Sequence, residues 1–284
     1  MLIRIILLVF LSYACSFPVQ AATPERIISL APSITEILYD LGLEKNIAAV
    51  TDYCDQPKQA KAKPKIGGYD SPSLEIIISR RPDLVIMTKE KNPGHIRERL
   101  NSLGIRTYVF EAQRLFELPS AMRKMGRYLD VAETAEKRAK TIEKALERFA
   151  RNAKKQRKQY GVTKALFVIH PEPLMAAGQG TVINDAFVLL GLKNIADKSA
   201  LQYPNLSIEE VIRLAPDVIF IGTGYMQTEP PQKLMSRLNM LDAVKKKRVY
   251  IVSEALYRLG PRVVFGIEEI AAHLYVNPGD EGVR

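Results

Sequence analysis

The sequence predicts an α/β fold made of two similar lobes, each with a mostly parallel sheet, joined by one long helix. Three observations support this prediction. Short apolar segments alternate with segments of helical periodicity, one motif recurs after 134 residues (from 73 to 207), and a long amphipathic segment separates the two halves. The length of 284 residues agrees with two lobes, because domains commonly contain about 100–200 residues.

Short apolar segments in the first half predict strands that alternate with helices. The predicted strands cover residues 26–31, 46–51, 83–88 and 107–110, and the predicted helices cover 33–42, 73–79 and 96–103. The second half has the same alternation, with strands at 164–169, 218–222 and 248–252 and helices at 181–190, 207–214 and 231–238. Strands that alternate with helices indicate βαβ units and therefore parallel sheets.

A repeated motif indicates that the two halves are built alike. Ser-Leu-Glu at 73–75 followed by Arg-Pro-Asp at 81–83 recurs as Ser-Ile-Glu at 207–209 followed by Ala-Pro-Asp at 215–217. Serine, glutamate, proline and aspartate are thus all displaced by the same 134 residues (73 to 207). An offset held over four residue types predicts two lobes of similar structure.

The segment between the halves predicts a long amphipathic helix. Apolar residues recur every three or four positions from Met122 to Ala153, and the pattern covers residues 133–160, about 42 Å at 1.5 Å per residue. Such a helix can form a rigid spine between the lobes or pack on one lobe alone. We therefore divide the chain into a signal peptide (1–21), an N-terminal α/β lobe (22–120), a linker with the spanning helix (121–161) and a C-terminal α/β lobe (162–284).

The first 21 residues have the pattern of a secretory signal peptide. A short basic start that ends at Arg4 precedes an apolar run too short to span a membrane, and Val19-Gln-Ala21 fits a cleavage site. A lipoprotein would instead be processed at Cys15, but residues 12–14 lack the usual apolar residue at the −3 position. The sequence therefore predicts a soluble, exported protein.

Composition and motifs exclude several classes of function. The formal net charge is +10, yet no groove-reading motif accompanies it, so no nucleic-acid partner is expected. Two cysteines, Cys15 and Cys54, and three widely separated histidines do not form a metal-ligand pattern, so no metal site is predicted. The sequence has no nucleophile elbow, phosphate-binding loop or zinc-protease motif. We therefore predict no catalytic residue, no cofactor and no enzymatic activity.

Aromatic residues follow several predicted strands. Tyr53, Tyr69, Tyr225 and Tyr257 all lie in loops at strand ends. Ligands of open α/β sheets gather beyond the carboxyl ends of the strands, and tyrosine offers them a flat, amphipathic surface. The four tyrosines therefore predict a cleft for a large ligand, although each of them could equally pack on an ordinary surface.

Charged and ionisable residues lie at comparable positions. His170 directly follows the predicted strand at 164–169, and Arg258 next to Tyr257 can meet carboxylate or phosphate groups on a ligand. Glu75 and Glu209 each lie two residues beyond a predicted serine N-cap, where a carboxylate interacts favourably with the helix dipole. Their equivalence across two lobes permits a second interpretation, in which each lobe offers one acidic contact to a two-fold partner.

Taken together, the motifs resemble the periplasmic substrate-binding proteins of bacterial ABC importers for metal chelates, the group of cobalamin, haem and ferric-siderophore binders. The matching segments are Arg-Ile-Ile-Ser-Leu-Ala-Pro-Ser-Ile-Thr-Glu at 26–36, Thr-Asp-Tyr-Cys-Asp-Gln-Pro at 51–57, the two glutamate motifs, Leu-Gly-Ile at 103–105, residues 177–195 and Leu-Gly-Pro-Arg at 259–262. The resemblance implies two Rossmann-like lobes in a rigid-hinge clamshell, with the ligand cleft between them. It also implies a monomer whose Glu75 and Glu209 dock on arginines of the two permease subunits.

Within this group, the segments at 52–57 and 67–75 look most like those of cobalamin binders. On that resemblance Tyr53 and Tyr69 flank the corrin ring, with Glu254 and Arg258 near its polar side chains. The chain has no tryptophan, and Tyr69 stands where the cobalamin binders have one. Haem, with a tyrosine or His170 as axial ligand, and a ferric siderophore are the alternative ligands. A secreted hydrolase or chelatase-like enzyme is the alternative from another class.

Overall fold

Two β-sheets and one long helix organise the chain. The computed structural model describes residues 23–89, 92, 94–160, 163–223 and 231–275. The inner strands of the first sheet are largely buried, as expected for a parallel sheet that is covered on both faces. This sheet has four parallel strands in the order β2-β1-β3-β4, with β1 at Ile27–Ser29, β2 at Ile47–Val50, β3 at Leu84–Thr88 and β4 at Arg106–Phe110.

The second sheet has the order β6-β5-β8-β9, and β7 pairs with the first residues of β5. Its strands are β5 (Lys164–Pro171), β6 (Leu174–Ala176), β7 (Lys193–Asn194), β8 (Val218–Gly222) and β9 (Val249–Val252). β6 is antiparallel to β5, and the other pairings are parallel. The predicted fold class, two α/β lobes with mostly parallel sheets and one long helix, is confirmed.

Helices cover these sheets and connect successive strands. The described α-helices are α1 (Pro32–Asp40), α2 (Leu74–Ser79), α3 (Gly94–Ser102), α4 (Leu118–Tyr128), α5 (Ala132–Tyr160), α6 (Val182–Leu189), α7 (Ile208–Leu214), α8 (Pro231–Arg237), α9 (Asp242–Lys245) and α10 (Val263–Tyr275). The predicted helices at 73–79, 133–160, 181–190 and 207–214 correspond to α2, α5, α6 and α7 within one or two residues.

The repeated motif has the same geometry in both halves. Ser73 and Ser207 are the N-caps of α2 and α7, and each hydroxyl accepts a hydrogen bond from the backbone amide three residues further on. Beyond each helix the chain turns at a residue with positive φ, Arg81 at 48° and Ala215 at 47°. The offset found in the sequence therefore reflects one structural unit that occurs twice.

Helix α5 contacts elements of both halves. It packs so tightly on α4 that a side chain at Gly126 would overlap Ala135. Arg138 donates a hydrogen bond to the carbonyl of Asp40 in α1, and α5 also contacts α6 and α10 of the second half. One buried apolar cluster includes residues of α5 and of both sheets. The helix is therefore a spine for both halves, while the lobe boundaries near residues 120 and 162 stay a prediction.

Some predictions concern residues that the structure does not describe. The signal peptide (1–21), the alternative lipid site at Cys15 and the candidate ligand contact Tyr225 all lie outside the described residues. In the part of the chain that is described, no helix is both long and apolar enough to cross a membrane.

Candidate ligand-binding cleft

A cleft of about 920 Å³ opens between the two sheets. Its walls come from the segments that follow β1, β2, β3 and β4 on one side and β8 and β9 on the other, together with the start of α6. This is the edge where the carboxyl ends of parallel strands meet, the usual place for a ligand in an open α/β sheet. Among the predicted ligand contacts, five line the cleft: Tyr53, Tyr69, Glu254, Tyr257 and Arg258.

Two of these tyrosines form an aromatic pair on the wall formed by the first sheet. The rings of Tyr53 and Tyr69 meet edge to face, with centroids 5.9 Å apart and an angle of 78° between their planes. Burial, with a smaller contribution from the carboxylate of Asp70, raises the pKa of the Tyr69 hydroxyl. The Tyr69 phenol is therefore neutral at physiological pH, and both tyrosines present an apolar ring with one polar tip to the cleft.

A buried asparagine that the sequence analysis missed fixes the Tyr69 loop. The Asn92 side-chain amide donates to the carbonyl of Tyr69 at 2.7 Å and to the carbonyl of Leu30 at 3.0 Å. Its Oδ1 accepts from the backbone amide of Thr88, at the end of β3, at 2.8 Å. Asn92 thus ties the tyrosine loop to the ends of two strands. In the sequence it could not be distinguished from an ordinary turn asparagine.

A network of five charged side chains, here called the cleft ion network, joins the two halves beside the cleft: Glu36, Asp55, Glu254, Arg258 and Arg262. The Arg258 guanidinium lies 2.7 Å from an Asp55 carboxylate oxygen and 3.2 Å from one of Glu36. Arg262 lies 3.1 Å from Glu254 and 3.5 Å from Glu36. Arg258 lines the cleft, and two carboxylates of the protein balance its charge there.

Glu36 is the most buried member of the cleft ion network, with 3% of its side chain exposed. Burial raises the pKa of its carboxyl group, against the attraction of Arg258 and Arg262. One carboxylate oxygen, Oε2, is buried and has no hydrogen-bond partner among the described residues. Sequence analysis did not single out Glu36, because a glutamate inside an amphipathic helix normally faces solvent.

Removal of Glu36 should destabilise the fold. We expect Glu36→Ala to lower the free energy of unfolding by about 3 kcal/mol, because it leaves two largely buried arginines without a shared carboxylate. Urea unfolding followed by circular dichroism measures this change. The control is Glu268→Ala, which breaks the exposed Arg148–Glu268 pair (3.1 Å) and should cost at most about 1 kcal/mol. Equal losses in the two variants would contradict a structural role for the network.

Tyr257 lies on the opposite wall of the cleft. Its ring packs edge to face on Phe167, with centroids 5.9 Å apart, and a side chain at Gly222 would overlap its hydroxyl. The hydroxyl is buried without a hydrogen-bond partner among the described residues, and burial raises its pKa. Glycine at the end of β8 is therefore required for Tyr257 to occupy the wall, where it offers mainly its ring to a ligand.

A second ion pair ties the two halves on the other side of the cleft. Arg114, in the segment before α4, donates to Asp185 of α6 from both Nε and Nη2, with Nε 2.8 Å from the carboxylate. The same carboxylate accepts from the backbone amide of Leu115 at 3.0 Å, and Asp185 itself is buried. Neighbouring Gln113 and Thr181 line the cleft. Both rims of the cleft are thus held by bonds between the halves.

The structure corrects the position of His170. The residue does not follow a strand but lies within β5, where it pairs with Met175 of the antiparallel strand β6. Its Nδ1 is 3.3 Å from the carbonyl of Pro173, and it is not among the residues that line the cleft. The sequence was misleading because Pro171 and Pro173 suggested that the strand stops before the histidine. β5 continues to Pro171.

Glu75 and Glu209 are exposed at equivalent places in the two halves. Each is the second residue of its helix, α2 or α7, and lies two residues after the serine N-cap. Hydrogen bonds from its own backbone amide and from the Ser207 hydroxyl hold the pKa of Glu209 below its usual value. Each of these helices leads down to the start of the next strand, so the two carboxylates lie towards the cleft edge of their sheets.

No metal centre is found in the part of the chain that the structure describes. No group of three or more histidine, cysteine, aspartate or glutamate side chains is placed to hold a metal ion there. Cys54 is buried, its thiol 3.1 Å from the hydroxyls of both Thr35 and Thr51, and burial raises its pKa. The side chains that line the cleft offer aromatic rings and hydrogen-bonding groups to a ligand.

Comparisons with known proteins agree with this geometry. The profile of a family described as periplasmic binding protein matches residues 27–256. The vitamin B12-binding protein of Pectobacterium carotovorum is 28% identical over 265 residues, which cover 93% of each chain. The crystal structure of the periplasmic vitamin B12-binding protein of Vibrio cholerae has a TM-score of 0.76 at 28% identity and covers 89% of this chain and 97% of its own. The crystal structure of a periplasmic haem-binding protein from Pseudomonas aeruginosa has a TM-score of 0.79 at 25% identity, and the match covers 89% of this chain and 93% of that protein.

Proposed function

The chain belongs to the periplasmic binding protein family, and from this we propose that it captures a corrinoid, cobalamin or a close relative, and delivers it to the permease of an ABC importer. The ligand would lie in the cleft between the two sheets, with Tyr53 and Tyr69 against one face of the macrocycle and Tyr257 on the facing wall. Glu254 and Arg258 would lie near its polar side chains, with the carboxylates of the cleft ion network holding the arginine in place.

The aromatic pair on the cleft wall is the observation that supports this proposal best. A corrin is a broad, flat macrocycle with a polar rim, and it needs an apolar surface with hydrogen-bonding groups at the edge. Tyr53 and Tyr69 provide such a surface within a cleft of about 920 Å³, in the range of cavities that bind organic ligands. Relatives that match nearly the whole chain carry the name vitamin B12-binding protein, which supports the same ligand.

Delivery would take place outside the cytoplasm. We propose that residues 1–21 direct export and are removed, and that the mature chain acts as a monomer in the periplasm. Glu75 and Glu209 would each dock on an arginine of one permease subunit, since they occupy equivalent, exposed positions in the two halves. Each subunit of a two-fold permease would then bind one carboxylate of this chain.

Haem is the second candidate ligand. The similarity to the haem-binding protein of Pseudomonas aeruginosa, with a TM-score of 0.79, favours it specifically. Tyrosine is a known axial ligand of haem iron, and Tyr53 and Tyr69 both lie in the cleft. The Tyr257 hydroxyl is buried against Gly222, and His170 lies outside the cleft lining, so neither is placed to ligate the iron. This candidate keeps the same cleft and the same delivery role.

Retention of visible absorbance tests the ligand directly. The mature chain, residues 22–284, is incubated separately with cyanocobalamin, hemin and a ferric hydroxamate, desalted, and examined by spectroscopy. We expect the corrinoid spectrum to remain with the protein in equimolar amount, and calorimetry to confirm a single site. Retained hemin with a sharpened Soret band, and no retained corrinoid, would replace cobalamin by haem. Retention of the ferric hydroxamate alone would replace both.

A further inference from the structure

Basic side chains collect at the edge of the second sheet that faces away from the cleft. Parallel strands begin at the same edge of a sheet. β7 begins at Lys193, β5 begins at Lys164, and β9 begins directly after Arg248. The backbone bonds agree, because the Lys193 amide donates to the carbonyl of Thr163 at 2.9 Å and the Ile219 amide to that of Arg248 at 3.0 Å. Residues that line the cleft follow the opposite, carboxyl ends of the strands.

Three helices bring further cations to this edge. Helix α5 ends just before β5. Its Ala153 packs close to Gly191, two residues before Lys193, since a Cβ atom at Gly191 would lie 3.7 Å from that of Ala153. Helix α7 ends just before β8, and α9 ends just before β9. The resulting surface, here called the basic edge, consists of ten residues: Lys154, Lys155, Arg157, Lys158, Lys193, Arg213, Lys245, Lys246, Lys247 and Arg248.

The charge of the basic edge is largely uncompensated. Arg213 lies 3.8 Å from Glu210 and Lys246 lies 2.9 Å from Asp242. The other members form no ion pair with any carboxylate in the described part of the chain. All ten side chains except Arg248 are exposed. The edge therefore presents a dense positive surface to a partner.

Two exposed apolar side chains lie on the same edge. Val188, in the last turn of α6, is 63% exposed, and its carbonyl accepts from the amide of Gly191, two residues before Lys193. Met240, two residues before α9, is 58% exposed. Proteins that bind membrane surfaces typically combine exposed lysines with apolar side chains, which insert just below the lipid headgroups.

We propose that the basic edge binds the surface of an anionic phospholipid bilayer. Lysines act as flexible point charges that need no fixed geometry in their partner, which suits a fluid array of headgroups. A nucleic acid is the alternative polyanion, but no groove-reading motif accompanies these cations in the sequence. Because the cleft lies at the other edge of the sheet, a protein held in this way keeps its cleft open to the solvent.

Vesicle flotation tests this proposal with the mature chain. We expect binding to vesicles of phosphatidylcholine with about 30% phosphatidylglycerol, no binding to pure phosphatidylcholine, and release when NaCl rises from about 0.05 to 0.5 M. The variant carrying Lys154→Glu, Lys155→Glu, Lys245→Glu and Lys247→Glu should bind the anionic vesicles at least about 100-fold more weakly.

The control variant carries the same change in net charge on other surfaces: Lys45→Glu, Lys58→Glu, Lys61→Glu and Lys137→Glu, all at exposed positions. It should lose less than about tenfold of the vesicle affinity, and far-ultraviolet circular dichroism establishes that both variants are folded. Equal loss in the two variants would show that net charge alone acts, and would overturn the proposal. Equal binding to neutral vesicles, or tighter binding to a short DNA duplex at the same ionic strength, would also overturn it.

Discussion

Replacement of both cleft tyrosines, Tyr53→Ala with Tyr69→Ala, is expected to abolish retention of the corrinoid. The two rings form an edge-to-face pair on the cleft wall, so the double variant removes the flat apolar surface on which the macrocycle would rest. Aromatic anchors of this kind commonly contribute about 2 kcal/mol or more each to binding. We therefore expect an affinity at least about 100-fold lower, measured by calorimetry or by absorbance after desalting.

Two controls separate loss of the rings from loss of the fold. Tyr53→Phe with Tyr69→Phe keeps both rings and should retain most of the affinity. Tyr128→Ala removes a ring from another aromatic pair, with Tyr108 at a centroid distance of 4.7 Å, away from the cleft. That variant should bind as the unchanged protein does. Unaltered affinity in the double alanine variant would contradict the proposed binding site, whereas equal loss in the phenylalanine and alanine variants would point to ligation by a phenolate and hence to haem.

Charge reversal at Glu75→Arg with Glu209→Arg is expected to stop ABC-dependent uptake and to leave ligand binding unchanged. The two carboxylates are exposed at equivalent helix starts and do not line the cleft. In the proposed docking, the reversal would replace two attractive contacts with permease arginines by two repulsive ones, which disfavours docking strongly. Uptake of labelled ligand by cells that carry the importer, compared with calorimetry on the purified variant, measures the two effects separately.

Glu133→Arg is the matched control for this experiment. Glu133 is also an exposed glutamate in the first turn of a helix, α5, so its reversal changes a similar helix-end interaction without changing either docking position. Uptake should persist with this variant. If the double reversal at residues 75 and 209 also supports normal uptake, those carboxylates act only as helix-end charges.

The sequence predicted the fold well because most strands and helices have a local hydrophobic pattern. β8 begins and ends where its run of apolar residues does, and α5 follows a long stripe of apolar residues. β6 was missed because three residues in a proline-rich segment carry no periodicity. The repeat was found because serine caps and prolines at helix ends leave a clear trace in the sequence.

Much less of the site could be predicted, because its contacts join residues that are far apart in the sequence. Tyr53, Tyr69 and Tyr257 were found by the rule that ligands lie beyond strand ends, which depends only on local position. Glu36 was missed, since its partner Arg258 lies 222 residues away and no local pattern connects them. Asn92 was missed for the same reason.

The shared apolar cluster that joins α5 and both sheets also bears on how the protein loses its structure. Neither half can unfold alone without exposing apolar surface of the other half and leaving buried partners such as Glu36 and Asp185 without their arginines. We therefore expect the two halves to unfold together, as one cooperative unit rather than as two independent domains. Local opening would be confined to loops and chain ends, so the rest of the folded chain should resist cleavage by a protease.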